Sequence, residues 1–329
     1  MNSRSNSERY GEEGTWDGAE PTLVTRAEQW GISMNDKQSA MAAAVDDTPM
    51  ADSIGELVVF VDGQTDPTGI LEFAAVLAQE YDAHLTGVFM RPAPAVTPPE
   101  MFARGEGIPS VIEARQAEVE ETEAEHRALF DDIVRRYAIG WEWRSEPYFS
   151  SDAAVHARYA DLVVVARPDP AGQTAGPPGL VESLVLTSGR PVIVLPPRST
   201  ASRVRRILVG WDAGRAAVRA VADALPLLVR AAAVEVLVID PERRRAGHGQ
   251  EPGADIARYL ARHRAKVEVR RLSSGDEDVG RALLSQAAAF GADLLVMGAY
   301  GHTQLREWMF GGVTRTVLYE AALPVLMSR

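Results

Sequence analysis

The residues whose types and spacing point most clearly to chemistry lie near the end of the chain. They run Asp293-Leu-Leu-Val-Met-Gly298-Ala-Tyr-Gly301, then His302 to Phe310, then Gly311-Gly312-Val313-Thr314. Two residues separate Gly298 from Gly301, and nine separate Gly301 from Gly311. Glycines let a backbone turn with positive φ and let a ligand approach closely, while the first N–H groups of a following helix have no partner within it. A strand, a glycine loop and a helix N-terminus in that order can cradle an anion such as a phosphate. The same stretch also reads as a glycine-rich connection that binds nothing.

Elements are needed to place that loop. The apolar run bounded by Ala292-Asp293 predicts a strand buried on both faces, and Val313, Val317, Leu318 and Ala321 recur at helical spacing. The same alternation runs through the chain from Glu56. Strands are predicted at Leu57–Val61, His84–Met90, Trp141–Glu146, Asp161–Ala166 and Pro191–Leu195. Between them, Ile70, Phe73, Ala74, Leu77 and Tyr81 mark one helix face. A long acidic helix spans about 110–137, with Val119, Thr122, His126, Leu129 and Ile133 as its buried stripe. Its His126 reads as a packed core histidine. Prolines 92, 94, 98 and 99 make the segment before it irregular, and Ser150-Ser151-Asp152 reads as an N-cap.

After a polar linker the pattern repeats. Strands are predicted at Arg206–Val209, Val234–Ile239, Val267–Leu272, Asp293–Met297 and Pro324–Met327. One helix carries Val218, Val221, Leu225 and Leu228. Another, opening near Pro252, displays Ile256, Tyr259, Leu260 and His263. A third, capped by Ser274-Gly-Asp276, carries Val279, Leu283, Gln286 and Phe290. Strands alternating with helices predict parallel sheets, and the two halves are internal repeats. The fold class is α/β, with two tandem doubly wound five-stranded parallel-sheet domains over 55–197 and 203–329, behind a polar tail at 1–54 expected to be disordered. In the first half, Ala166-Arg-Pro168-Asp-Pro170 stands where the second has spaced glycines. Proline lacks the N–H a phosphate needs, so the first half is expected to lack the anion site.

Composition excludes several classes. The chain has 329 residues, no cysteine and a formal charge of −12, which removes disulfides and thiolate metal sites and argues against nucleic acid or anionic membranes as partners. No window approaches the ~20 apolar residues of a membrane helix, and no basic-then-apolar leader is evident. A cytoplasmic, soluble protein is expected. Lys37 and Lys266 are the only lysines, and neither is near the glycines, as a Walker-type loop would require.

With these residues in view, the chain resembles the universal stress protein family in a tandem of two domains. The resemblance rests on the G-x2-G-x9-G spacing of Gly298, Gly301 and Gly311, on Asp212 closing a first strand, and on the final strand from Pro324. It covers roughly 55–329. It implies a Rossmann-like, adenine-nucleotide-binding fold with ATP over the carboxyl ends of strands one and four, where open parallel sheets hold ligands. Carried over by position, Asp212, Met297, Gly298, Gly301, Gly311, Gly312 and Val313 would line the site. The family's Ser or Thr after the third glycine is Gly312 here, so the N–H is kept and the hydroxyl lost. Trp211 would either stack on a base or fill the pocket, and Asp212 also reads as a carboxylate capping the next helix.

Three classes follow. The favoured one is a non-catalytic stress-response protein binding ATP or another adenine nucleotide in its second domain, with protein partners still to be identified. Its two domains are expected to pair within the chain, and a homodimer is possible. The second is the same fold acting through protein contacts alone. The third is a slow ATPase or nucleotide-handling enzyme with His302 as general base. No G-x-S-x-G, H-E-x-x-H or closely spaced His pair supports it, and no metal site is expected.

Overall fold

The computed structural model describes residues 53–63, 65–92, 107–147, 153–167, 179–197, 199, 203–242, 251–299 and 312–329. The tail at 1–52, the proline-rich segment beyond Pro92, the Ser150-Ser151-Asp152 cap, and Gly301 and Gly311 lie outside them.

The first half gives β1 (Glu56–Asp62), α1 (Thr68–Tyr81), β2 (His84–Arg91), α2 (Gly107–Tyr137), β3 (Trp141–Pro147), α3 (Ala153–Arg158), β4 (Leu162–Ala166), α4 (Leu180–Thr187) and β5 (Val192–Leu195). The second gives β6 (Arg206–Gly210), α5 (Arg215–Asp223), α6 (Leu225–Arg230), β7 (Ala233–Ile239), α7 (Ala254–Arg262), β8 (Val267–Leu272), α8 (Val279–Phe290), β9 (Leu294–Gly298), α9 (Gly312–Glu320) and β10 (Val325–Ser328). Among the described residues the strands form a single sheet ordered β3-β2-β1-β4-β5-β10-β9-β6-β7-β8. Neighbours are parallel except β5 and β10, which run antiparallel with Val325 opposite Val194 and Met327 opposite Val192. Each of these four-residue strands ends its own half and is wholly buried. Their pairing therefore removes two open sheet edges.

Helices cover both faces. One core, built from residues such as Leu57, Phe73, Ile133, Val209 and Leu260, lies under α1, α2, α5, α6 and α7. The other, with Phe60, Val165, Leu184, Leu283, Met297 and Val317, lies under α3, α4, α8 and α9. Both cores run through both halves.

The two halves also share a device at their strand starts. The Asp161 carboxylate accepts the N–H groups of Gly55 (2.9 Å) and Glu56 (3.1 Å). Asp293 does the same for Arg205 (2.9 Å) and Arg206 (2.8 Å). Each carboxylate satisfies two N–H groups at the entry of its half's first strand.

Four expectations are corrected. The single helix through Val218 and Leu228 is two, α5 and α6, divided at Ala224. Pro226, in the first turn of α6, has no N–H to continue the ladder. Val218 is 53% exposed rather than buried, and Ala216, Ala217, Ala220 and Val221 form the inner face. Tyr259 is 40% exposed and leans on His263 with ring centroids 4.6 Å apart, so Ile256 and Leu260 carry the packing of α7. The α8 cap is Asp278, whose Oδ1 accepts the N–H groups of Gly280 and Arg281. Ser274 is instead held by the Asp240 carboxylate.

Candidate functional site

The carboxyl ends of β6 and β9, adjacent at the middle of the second half, bring Asp212, Met297 and Gly298 together. Gly210 is in register with Met297, and Asp212 follows two residues on. The chain then turns sharply through Ala213, which has φ 58°, in the left-handed region. Asp212 Oδ1 accepts the Gly214 N–H at 2.9 Å, the local bond that makes aspartate a turn and cap residue. A Cβ on Gly214 would sit 2.9 Å from that carboxylate oxygen. The carboxylate thus accepts an N–H at the entry of α5, on the residue that precedes its first turn.

Gly298 has a specific reason to lack a side chain. A Cβ there would lie 2.4 Å from the Ala217 nitrogen and 2.5 Å from the Ala216 carbonyl carbon. The end of β9 and the first turn of α5 thus pack backbone to backbone, which also explains why α5 turns its alanines inward. Met297 is buried on the opposite face, in the core that also takes Val317 and Leu318 of α9. Gly312 opens α9 and is exposed, with nothing within 4 Å of a Cβ built on it. Val313 is half-buried and packs on the same core as Met297. Gly301 and Gly311, the other two glycines of the spacing, lie outside the described residues.

Trp211 packs against the opposite core, the one under α5, α6 and α7. Sequence reasoning missed Asp240. This residue has φ 47° and follows β7. Its carboxylate accepts the Ser274 N–H at 3.0 Å and the Ser273 hydroxyl at 3.2 Å, tying the ends of β7 and β8 together. The Ser273-Ser274-Gly275 turn after β8 was the available signal.

The corresponding place in the first half is built differently. By register, Ala166 and Arg167 stand where the second half has Gly298 and Ala299. The backbone continues alike in both: the Arg167 N–H donates to the Leu195 carbonyl and the Ala299 N–H to the Ser328 carbonyl, each at 2.8 Å. Asp62, the counterpart of Asp212, accepts from both the N–H (3.0 Å) and the hydroxyl (2.7 Å) of Thr65. Phe60 fills the core where Gly210 faces Leu283.

Beside this end of the first half, His126 of α2 meets the Phe89 ring edge-on, with centroids 5.8 Å apart. Its Nδ1 is buried without a hydrogen-bond partner among the described residues. Burial pushes its pKa below the ordinary histidine value, against the opposing pull of Asp62, Glu125 and Asp66. Among the described residues, no group of three or more His, Cys, Asp or Glu is placed to hold a metal ion. None of their helices is long and apolar enough to cross a membrane.

Comparison with known proteins adds the family. Residues 203–329 match the model of the universal stress protein family, so the second half is a universal stress protein domain. No curated protein matches the chain. Two solved structures share the fold across both halves. A universal stress protein from Archaeoglobus fulgidus DSM 4304 is 13% identical, with a TM-score of 0.57, over 83% of this chain and 98% of that one. A protein from Pseudomonas aeruginosa UCBPP-PA14 described as a universal stress protein is 14% identical, with a TM-score of 0.54, over 85% of this chain and 95% of that one.

Proposed function

We propose that the second half, 203–329, binds an adenine nucleotide, with ATP as the reference ligand, and that the chain acts as a non-catalytic tandem stress-response protein with domains at 55–197 and 203–329. The observation that carries this reading is the placing of Asp212 and Gly298 at the carboxyl ends of two adjacent central strands, within the segment that matches the family. That is the place where open α/β sheets hold ligands. In this reading Asp212 and the end of β7, the second strand of this half, border the adenosine end, and Met297, whose side chain is held in the core, lines the site with its backbone. Gly298, Gly301 and Gly311 shape the loop, and the N–H groups of Gly312 and Val313 at the start of α9 face the phosphates. The nucleotide would supply negative charge there, and this chain's residues would bind and orient it.

The test is calorimetry on dialysed full-length protein with ATP up to millimolar concentration, together with mass spectrometry of small molecules released on denaturation. Binding near one equivalent per chain is expected. Gly301→Val should abolish it, because a β-branched residue resists positive φ and blocks close approach. Asp62→Ala in the first half should leave it unchanged. Absence of any nucleotide binding would end this reading.

A specific observation favours a second one. Packing against Ala216 and Ala217 accounts for glycine at 298 without any ligand. A protein that ignores ATP would then use the same scaffold for protein contacts.

A further inference from the structure

The first half reaches the helix that opens on the proposed phosphate end. Arg167 occupies the position after β4 that Ala299 holds after β9, at the start of the glycine segment. Its guanidinium crosses the junction between the halves and donates to the carbonyl of Leu318 in α9. That carbonyl belongs to the last turn. The donor four residues on, Ala322 N–H, lies beyond the end of the helix at Glu320, and the final carbonyls of a helix have no partner inside it. Arg167 thus satisfies an end-of-helix acceptor with a cation, at the end where a helix favours positive charge. The side chain is half-buried, in a crevice it shares with Leu195, Pro196, Val317, Leu318 and Leu323.

Two further contacts hold α9 from within its own half. The Arg281 guanidinium forms two parallel bonds to the Glu320 carboxylate, both 3.0 Å. Gly280 of α8 approaches Thr316 so closely that a Cβ would stand 2.7 Å from it. These fix α9 against α8. Arg167 fixes it against the first half. The helix has nine residues, so its two ends are only ~13 Å apart and move together.

We infer that Arg167 is a positioning residue. It anchors α9 from the first half and thereby sets where the N–H groups of Gly312 and Val313 stand for an anion. In the repeat that does not keep the glycine spacing, the same position supplies a support for the repeat that does. The anchoring part stands on geometry alone, and its consequence for phosphate rests on the nucleotide reading above.

The experiment compares full-length wild type, Arg167→Ala and Arg167→Lys. Hydrogen exchange without nucleotide reads the anchor, and calorimetry with ATP and with adenosine reads its consequence. In Arg167→Ala, exchange of the α9 amides should rise about tenfold while β9 and α8 stay protected, as expected for loss of one charge-assisted bond. ATP affinity should fall by about the same factor and adenosine affinity by less than about twofold, because only the phosphate end is displaced. Arg167→Lys should restore part of both. A general loss of structure would weaken the two ligands alike, so the split separates positioning from stability. If Arg167→Ala does not fold, Arg167→Met keeps the aliphatic stem and carries the same readouts. Unchanged α9 exchange, or equal losses for ATP and adenosine, overturns the inference. Loosened α9 in a protein whose wild type binds no ATP supports the anchor and rejects the nucleotide reading alone.

Discussion

Gly298 and Gly312 belong to one glycine-rich sequence, yet their surroundings differ sharply. A methyl group at 298 meets the backbone of α5 at 2.4–2.5 Å, whereas one at 312 meets nothing within 4 Å. Gly298→Ala is therefore expected to lower stability by about 1–3 kcal/mol, the range of an overpacked core, read as a shift of the urea midpoint. Gly312→Ser should fold as wild type. Under the nucleotide reading it should also raise ATP affinity about tenfold by restoring a hydroxyl at the helix start. His126 makes a different prediction. Its folded pKa is lowered by burial, so the unfolded chain binds its proton first as pH falls. Stability contributed by neutral His126 is full above the ordinary histidine pKa of 6.5 and declines as pH drops below it toward the lowered folded value. His126→Leu should flatten that part of the stability–pH curve, measured by denaturant unfolding between about pH 7 and 5.

Among the elements, α5 and α8 show how local rules and packing divide the outcome. The inward face of α5 is alanine because β9 comes within backbone contact of it. The periodicity of Val218 and Val221 fitted a helix, but the close approach of Gly298 selected which side turns in. For α8, three acidic residues stand near the start of the helix, and the structure selects Asp278. It is the one placed to accept from the second and third helical N–H groups. Asp278→Ala should cost about 1 kcal/mol in urea unfolding, while Asp276→Ala should cost a few tenths. Packing also chose the anchors of α2. Phe130, Ile133 and Val134 are fully buried. The upstream stripe through Val119 and Thr122 is only half-covered, because the 31-residue helix outruns the core beneath it.

Across the whole molecule, the halves are joined by more than the β5–β10 pairing. The Tyr81 hydroxyl donates to the Pro226 carbonyl at 3.0 Å, and the Arg230 guanidinium lies 4.2 Å over the Tyr81 ring. Arg205 approaches Glu80 at 3.6 Å. Burial pushes the Tyr81 phenol well above its ordinary pKa, opposed by Arg230, so it remains a donor throughout the neutral range. A sheet and two cores shared by both halves should unfold as one cooperative unit. Tyr81→Phe is expected to cost about 1 kcal/mol and to raise exchange in the central strands of both halves together. Exchange confined to β1–β5 would show that the halves unfold separately.

The sequence by itself determined the alternation of strands and helices, the repeat, and the places of Asp212, Met297, Gly298 and Val313 near strand and helix ends. These follow from residue periodicity and backbone chemistry, which act over a few neighbours. Only the tertiary structure decided that ten strands make one sheet, that Gly298 answers to α5, that Trp211 turns to the helix-covered core and that Arg167 reaches Leu318. Those depend on residues far apart in the chain meeting at van der Waals distance, and no local pattern specifies which backbone will be the one that arrives.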